Sequence, residues 1–129
     1  MCIRDRREIE PDMISGQLIL LPMANFPAAD AGLRVSPLDG GNLNRSFPGD
    51  PTGTPTQMIA HYIEHALLSR AEYLVDLHSG GSSLLYQGGN MLAIDPLDAD
   101  EAAKLHGLLV AFGLPNALLH GPNLSLIHI

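Results

Sequence analysis

The sequence predicts an α/β domain with three layers, a mainly parallel sheet flanked by helices. Two observations carry this reading. Short apolar runs of strand length alternate with amphipathic stretches of helix length, the order of βαβ units. One of those runs also ends in Asp76-Leu77-His78-Ser79-Gly80-Gly81, where a strand must stop and turn. In open α/β sheets, ligands sit outside the carboxyl ends of the strands, so His78 is placed to face a site.

Residues 17–21 (Gln-Leu-Ile-Leu-Leu) lie between Gly16 and Pro22. A continuous apolar run of that length suits a strand buried on both faces. Residues 23–55 follow as a long segment dense in Gly, Pro, Asn and Asp, which are turn formers. Structureless segments of this length inside a compact domain are uncommon and usually functional. Thr54-Pro55-Thr56-Gln57 then opens a helix, with Thr54 as N-cap, Pro55 at the first helical position and Gln57 completing a capping box. Ile59, Ile63, Ala66 and Leu67 form its apolar face, and the helix runs to about Ser69.

A second strand is expected over residues 73–77, ending at His78. Residues 84–86 and 91–94 suit two short strands around Gly88-Gly89. Asp98 is a good N-cap with Glu101 in the capping-box position. Ala102, Leu105, Leu108, Leu109 and Phe112 make the next apolar stripe, which Gly113 and Pro115 end. Residues 116–120 (Asn-Ala-Leu-Leu-His) read as a further strand, joined by right-handed crossovers.

Composition narrows the function. The chain has 129 residues, 46% of them hydrophobic, and a formal net charge of −7. It is therefore one globular domain at most, with no charge affinity for nucleic acid or an anionic membrane. No apolar run approaches the ~20 residues of a membrane span. A single cysteine, Cys2, excludes a disulfide framework and a cysteine-based zinc site. These features suit a cytoplasmic protein. Residues 1–6 and 124–129 resemble translated sequencing-adapter read-through and fit no pattern beside them. They are set apart as non-native tails, which leaves residues 7–123 as an expected partial domain.

Several residues could carry chemistry. Asp76 and His78 are two apart, so in a strand they share a face. A carboxylate there can orient the imidazole and raise its basicity. The same residues also suit a strand-end histidine that only bonds a loop. Arg34 and Arg45 lie in the long irregular segment, Arg45 after Asn44. A guanidinium binds a carboxylate through two parallel hydrogen bonds, and an adjacent amide adds a donor. Solvated loop charges are the competing account. His61-Tyr62-Ile63-Glu64-His65 matches the H-x-x-E-H pattern of inverted zincins. Helical spacing, however, turns His61, Glu64 and His65 away from the Ile59/Ile63 face toward solvent. His106 is expected to be a partly buried, satisfied histidine, and His120 ends a strand. Ser79 lacks the G-x-S-x-G elbow of serine hydrolases.

Three stretches occur together in order: residues 22–28 (Pro-Met-Ala-Asn-Phe-Pro-Ala), residues 34–49 (from Arg34 through Gly-Gly-Asn-Leu-Asn-Arg-Ser-Phe-Pro-Gly), and residues 76–81. On these motifs the chain resembles the succinylglutamate desuccinylase/aspartoacylase family of zinc hydrolases, within the carboxypeptidase superfamily. The similarity runs from about Gly16 to about Leu119, and N-acetyl-diaminobutyrate deacetylase-like members look most similar. The resemblance implies a zinc carboxypeptidase-like fold and a zinc cofactor. It implies hydrolysis of a small N-acyl amino acid amide by zinc-bound water. It implies that His78 is a zinc ligand, that Arg34 stabilises the oxyanion, and that Asn44 and Arg45 hold the substrate's carboxylate. Asp76 would stand behind His78. A homo-oligomeric parent protein is compatible with it.

The chain departs from the family pattern in three places. It has no His-x-x-Glu motif upstream of residue 17 to supply the other two zinc ligands. The general-base Glu would lie downstream of residue 129. The position two before Asn44, often a carboxylate in the wider superfamily, is Asn42. A catalytic zinc takes three protein ligands. The expectation is therefore a fragment, truncated at both ends and inactive alone, of a zinc-dependent deacylase. Two alternatives remain: a metal-free module that captures a carboxylate on Arg34 and Arg45, and the inverted-zincin reading of His61, Glu64 and His65.

Overall fold

The computed structural model describes residues 8–77, 89–93 and 99–120. They fall into two compact units, one ending at Val75 and the other beginning at Asp76.

The first unit is built around one long helical stretch. Helix α1 is a short segment, Phe26–Asp30, and helix α2 is Pro55–Tyr62. A π-helical turn, Ile63–Leu67, and a 3-10 turn, Leu68–Arg70, continue α2 without a break. The start of α2 is as the sequence dictates. Thr54 is the N-cap with extended backbone, and Gln57 Oε1 accepts from the Thr54 N–H at 2.9 Å. That bond satisfies a backbone donor that the helix itself leaves open. The inward stripe is Thr56, Ala60 and Ile63, all buried, at the i, i+4 and i+7 spacing of one face. Ile59, Ala66 and Leu67 flank it half-buried.

The second unit contains a parallel β–α–β element. Strand β1 is Asn90–Ala93, helix α3 is Ala99–Phe112 and strand β2 is Ala117–His120. The strands pair in parallel with Asn90 opposite Ala117 and Ala93 opposite His120. The expected strands at 91–94 and 116–120 and the helix between them are thus present. Leu105, Leu108 and Leu109 are the half-buried stripe of α3, whereas Ala102 and Phe112 are exposed. Gly113 ends the helix at φ +68°, its N–H donating to Val110 O at 3.1 Å, as a glycine just past a helix end does. His106 is exposed, contrary to the expected partly buried position, because it sits outside the Leu105/Leu108/Leu109 stripe. The expected strand at 84–86 and the N-cap Asp98 lie outside the described residues.

Two sequence-predicted strands show no ladder among the described residues. Residues 17–21 and 73–77 carry no strand pairing among the described residues. Leu18, Ile19, Leu20 and Leu21 are 37–47% exposed, and Tyr73, Leu74, Val75 and Leu77 are 44–49% exposed. A strand buried on both faces exists only when neighbours supply its hydrogen bonds and cover its faces. Apolar runs open on successive residues favour association. The isolated chain is therefore expected to self-associate and to bind a hydrophobic dye. Analytical ultracentrifugation showing a monomer, together with a cooperative melt, would overturn that expectation.

Candidate functional site

The residues singled out for ligand binding in the first unit lie on a loop that is tied to α2 twice. The first tie begins with a tight turn. The Gly40 N–H donates to Ser36 O at 2.8 Å and the Ser36 N–H to Gly41 O at 2.9 Å, closing residues 36–41 around the buried Ser36. Asp39 projects from this turn to the start of the helix. Its Oδ2 accepts from the Thr56 N–H and its Oδ1 from the Thr56 hydroxyl, both at 2.7 Å. Oδ1 also accepts from the Gly41 N–H at 2.9 Å. Asp39 thus bonds a residue 17 positions later, taking one of the N–H groups left free in the first turn of α2. A β-carbon on Gly41 would lie 2.5 Å from Thr56 Oγ1, so the approach is close enough to require glycine.

These donors set the charge on Asp39. The Thr56 N–H first, then the Thr56 hydroxyl, hold its carboxyl well below the usual carboxylate range, against a smaller opposing effect of burial. The lowered folded value means that Asp39 contributes stability above its unfolded range, about pH 4, and loses it as pH falls from there toward the folded value. Asp39→Asn is expected to flatten the acid limb of stability. Thermal melts from neutral pH to about pH 2 measure it, and an acid limb identical to that of the parent chain would contradict the tie.

The second tie lies beyond the Phe47–Pro48 cis peptide. Gly49 adopts φ +82°, and its α-carbon approaches α2 so closely that a β-carbon would strike Gln57 O and His61 N. The Asp50 N–H donates to Gln57 O at 3.2 Å. Asp50 Oδ1 in turn accepts from the Thr52 N–H and hydroxyl, both at 2.8 Å. Those two bonds, with a smaller contribution from His61, lower the Asp50 carboxyl below its ordinary value.

Between the ties sits a 3-10 turn, Leu43–Arg45. Asn42 caps it: Asn42 Oδ1 accepts from the Asn44 N–H at 3.1 Å, and Asn42 O accepts from the Ser46 hydroxyl at 2.9 Å. The amide oxygen of Asn42 therefore acts as the acceptor that caps this turn. Asn44 is half-buried, and its Oδ1 is buried with no hydrogen-bond partner. Leaving such an acceptor unsatisfied costs about 1–3 kcal/mol; it is the Nδ2 group of the amide, not this oxygen, that can donate to a carboxylate. Arg45 is exposed on the same turn. Arg34 is exposed two residues before the buried Ser36. The loop can thus present an amide and a guanidinium from a turn whose backbone is held at both sides, an arrangement suited to a carboxylate.

The other predicted residues are placed differently. Asp76 is exposed and belongs to the second unit, and His78 lies outside the described residues. The described residues contain no group of three His, Cys, Asp or Glu side chains able to hold a metal ion. They do not by themselves fit a catalytic zinc, which needs three protein ligands. His65 is exposed, but His61 and Glu64 are half-buried, and Glu64 Oε2 is buried without a partner. The expected fully solvated face is corrected here: the loop at Gly49 covers part of it. Sequence reasoning missed Asp39, Ser36 and Thr56, since a bond across 17 residues leaves no local pattern.

Residues 4–125 match the profile of the succinylglutamate desuccinylase/aspartoacylase catalytic domain. The chain is 43% identical over 107 residues to N-alpha-acetyl-L-2,4-diaminobutyric acid deacetylase of Halomonas elongata, covering 82% of this chain and 31% of that protein. The crystal structure of succinylglutamate desuccinylase/aspartoacylase from Rhodobacter sphaeroides superimposes with a TM-score of 0.84 at 34% identity, covering 92% of this chain and 36% of that one. The product-bound ectoine utilization protein EutE (DoeB) from Ruegeria pomeroyi gives 0.77 at 33% identity, covering 97% and 38%. The chain spans about a third of the length of these relatives.

Proposed function

Because the chain belongs to the succinylglutamate desuccinylase/aspartoacylase family, we propose that it forms the carboxylate-binding part of an enzyme that deacylates small N-acyl amino acids. The observation that carries this reading is the Asn44–Arg45 turn, fixed on α2 at Asp39–Thr56 and at Asp50–Gln57. A turn held on both sides places an amide and a guanidinium with little ordering cost on binding, which is what orientation of a small anionic substrate requires. The reaction adds water across an amide, releasing a carboxylic acid and the free amine. Arg34 stabilises charge on the carbonyl oxygen. Zinc belongs to the proposal as the family's cofactor, with His78 as one ligand, Asp76 behind it and the remaining ligands from outside this chain. The domain is a three-layer α/β sheet of zinc carboxypeptidase type, cytoplasmic, and the isolated chain has no turnover. No described helix is long and apolar enough to cross a membrane.

A chimera tests this directly. Residues 16–119 replace the matching segment of the Halomonas elongata deacetylase, and hydrolysis of N-acetylated amino acids is followed with metal content. The expected result is a folded, zinc-containing and active chimera. Arg45→Ala should raise KM about tenfold or more with a smaller change in kcat, the signature of lost ground-state binding. A folded chimera with no activity, or an unchanged KM in Arg45→Ala, would remove the reading.

A further inference from the structure

Two imidazoles meet where α2 passes into the π-helical turn. His61 lies in the last turn of α2 and His65 follows four residues later. Their ring centroids are 4.2 Å apart, with planes inclined by 49°. His65 is exposed and His61 half-buried, so solvent reaches the pair. The backbone of His61 is fixed by the close approach of Gly49, which limits where its ring can go. We propose that His61 and His65 form a binding site for a divalent transition-metal ion, of the nickel(II) and copper(II) class.

The chemistry follows from the donor set. Imidazole nitrogen suits zinc, copper and nickel, and the affinity order favours copper(II) over nickel(II). Metal–nitrogen bonds are about 2 Å long, and rings whose centroids lie 4.2 Å apart bring two imidazoles within the span of two such bonds to one ion. Among the described residues no third His, Cys, Asp or Glu joins them in a metal-holding group, so the site is a two-imidazole one whose remaining positions are taken by solvent when the ion binds. The surroundings are electrostatically favourable to a cation. Glu64, which precedes His65 in the sequence, keeps a buried carboxylate oxygen without a hydrogen-bond partner. Asp50 is near enough to His61 for their charges to interact. The chain as a whole carries a formal net charge of −7. This site shares no residue with Arg34, Asn44, Arg45 or His78 and does not depend on the deacylase reading.

The test is calorimetric titration of the tag-free, full-length chain with nickel(II) chloride, followed by copper(II) electron paramagnetic resonance. The expected stoichiometry is about one nickel ion per chain. His65→Ala and His61→Ala should each weaken binding about tenfold or more. His106→Ala, on the exposed face of α3, should leave it unchanged. The copper spectrum should report two nitrogen ligands in the parent chain and fewer in His65→Ala. Far-UV circular dichroism checks that the variants keep their helix. His65 is exposed, so His65→Ala remains decisive even if His61→Ala unfolds. Absent nickel binding, or binding that survives His65→Ala, overturns the proposal. So does binding that is lost on His78→Ala and retained in the helix variants, because it would place the ion elsewhere.

Discussion

Gly49→Ala is expected to destabilise the loop–helix unit by about 2–5 kcal/mol, a large share of the stability of a small domain. Two costs combine. The residue holds φ +82°, a left-handed conformation in which a β-carbon crowds the following carbonyl. The added carbon would also strike Gln57 O and His61 N, and would come within 2.9 Å of His61 Cα. These are helix backbone atoms, so no side-chain rotation relieves the clash. Gly32→Ala is the internal control, since Gly32 has φ +64° but nothing within 4 Å of where its β-carbon would stand. It should show the backbone cost alone. Urea denaturation midpoints of the two variants separate the terms, provided the slopes agree. Equal midpoints would mean that the loop is not seated on α2. Gly41→Ala should fall between them, because its β-carbon meets the Thr56 side chain 2.5 Å away without a left-handed backbone.

Arg34→Ala should lower kcat of the active chimera by about 10²–10³ while leaving the fold intact. Arg34 is exposed, and surface substitutions away from specific networks usually change stability by no more than about 0.5 kcal/mol. Its proposed work is confined to charge that develops on the carbonyl oxygen, so the loss should appear in kcat more than in KM. Arg34→Lys should recover part of the rate, because the charge returns without the planar fork. Stopped-assay kinetics with an N-acetylated amino acid, beside melts of the same preparations, give both quantities. Unchanged kcat in a folded Arg34→Ala chimera would remove Arg34 from the reaction. A parallel fall in melting temperature would make it a structural residue instead.

The parts of the fold legible in the sequence are those set by neighbours along the chain. Thr54 and Gln57 announce the start of α2 because a capping box closes within four residues. Gly113 marks the end of α3 because the backbone there must turn left-handed. The order of Arg34, Asn44-Arg45 and Asp76-Leu77-His78 is enough to point to the family that residues 4–125 match. His106 departs from expectation because one residue's offset from an apolar stripe decides between cover and solvent. Residues 17–21 and 73–77 read as strands from apolarity alone, yet strand pairing depends on partners that no local pattern reports.

The sequence by itself determined where α2 begins and where α3 ends, which β–α–β order the second unit takes, and which family the chain joins. Each of these rests on short-range steric rules or on an ordered set of motifs. Helix α1 instead arose inside the segment read as irregular. Only the tertiary structure decided how the long loop is held. Asp39 reaches Thr56 across 17 residues, and Gly49 lies against the helix backbone beside His61. The physical reason is that a polar group in a loop satisfies itself with whatever donor the fold brings near, and that donor is chosen by packing rather than by spacing.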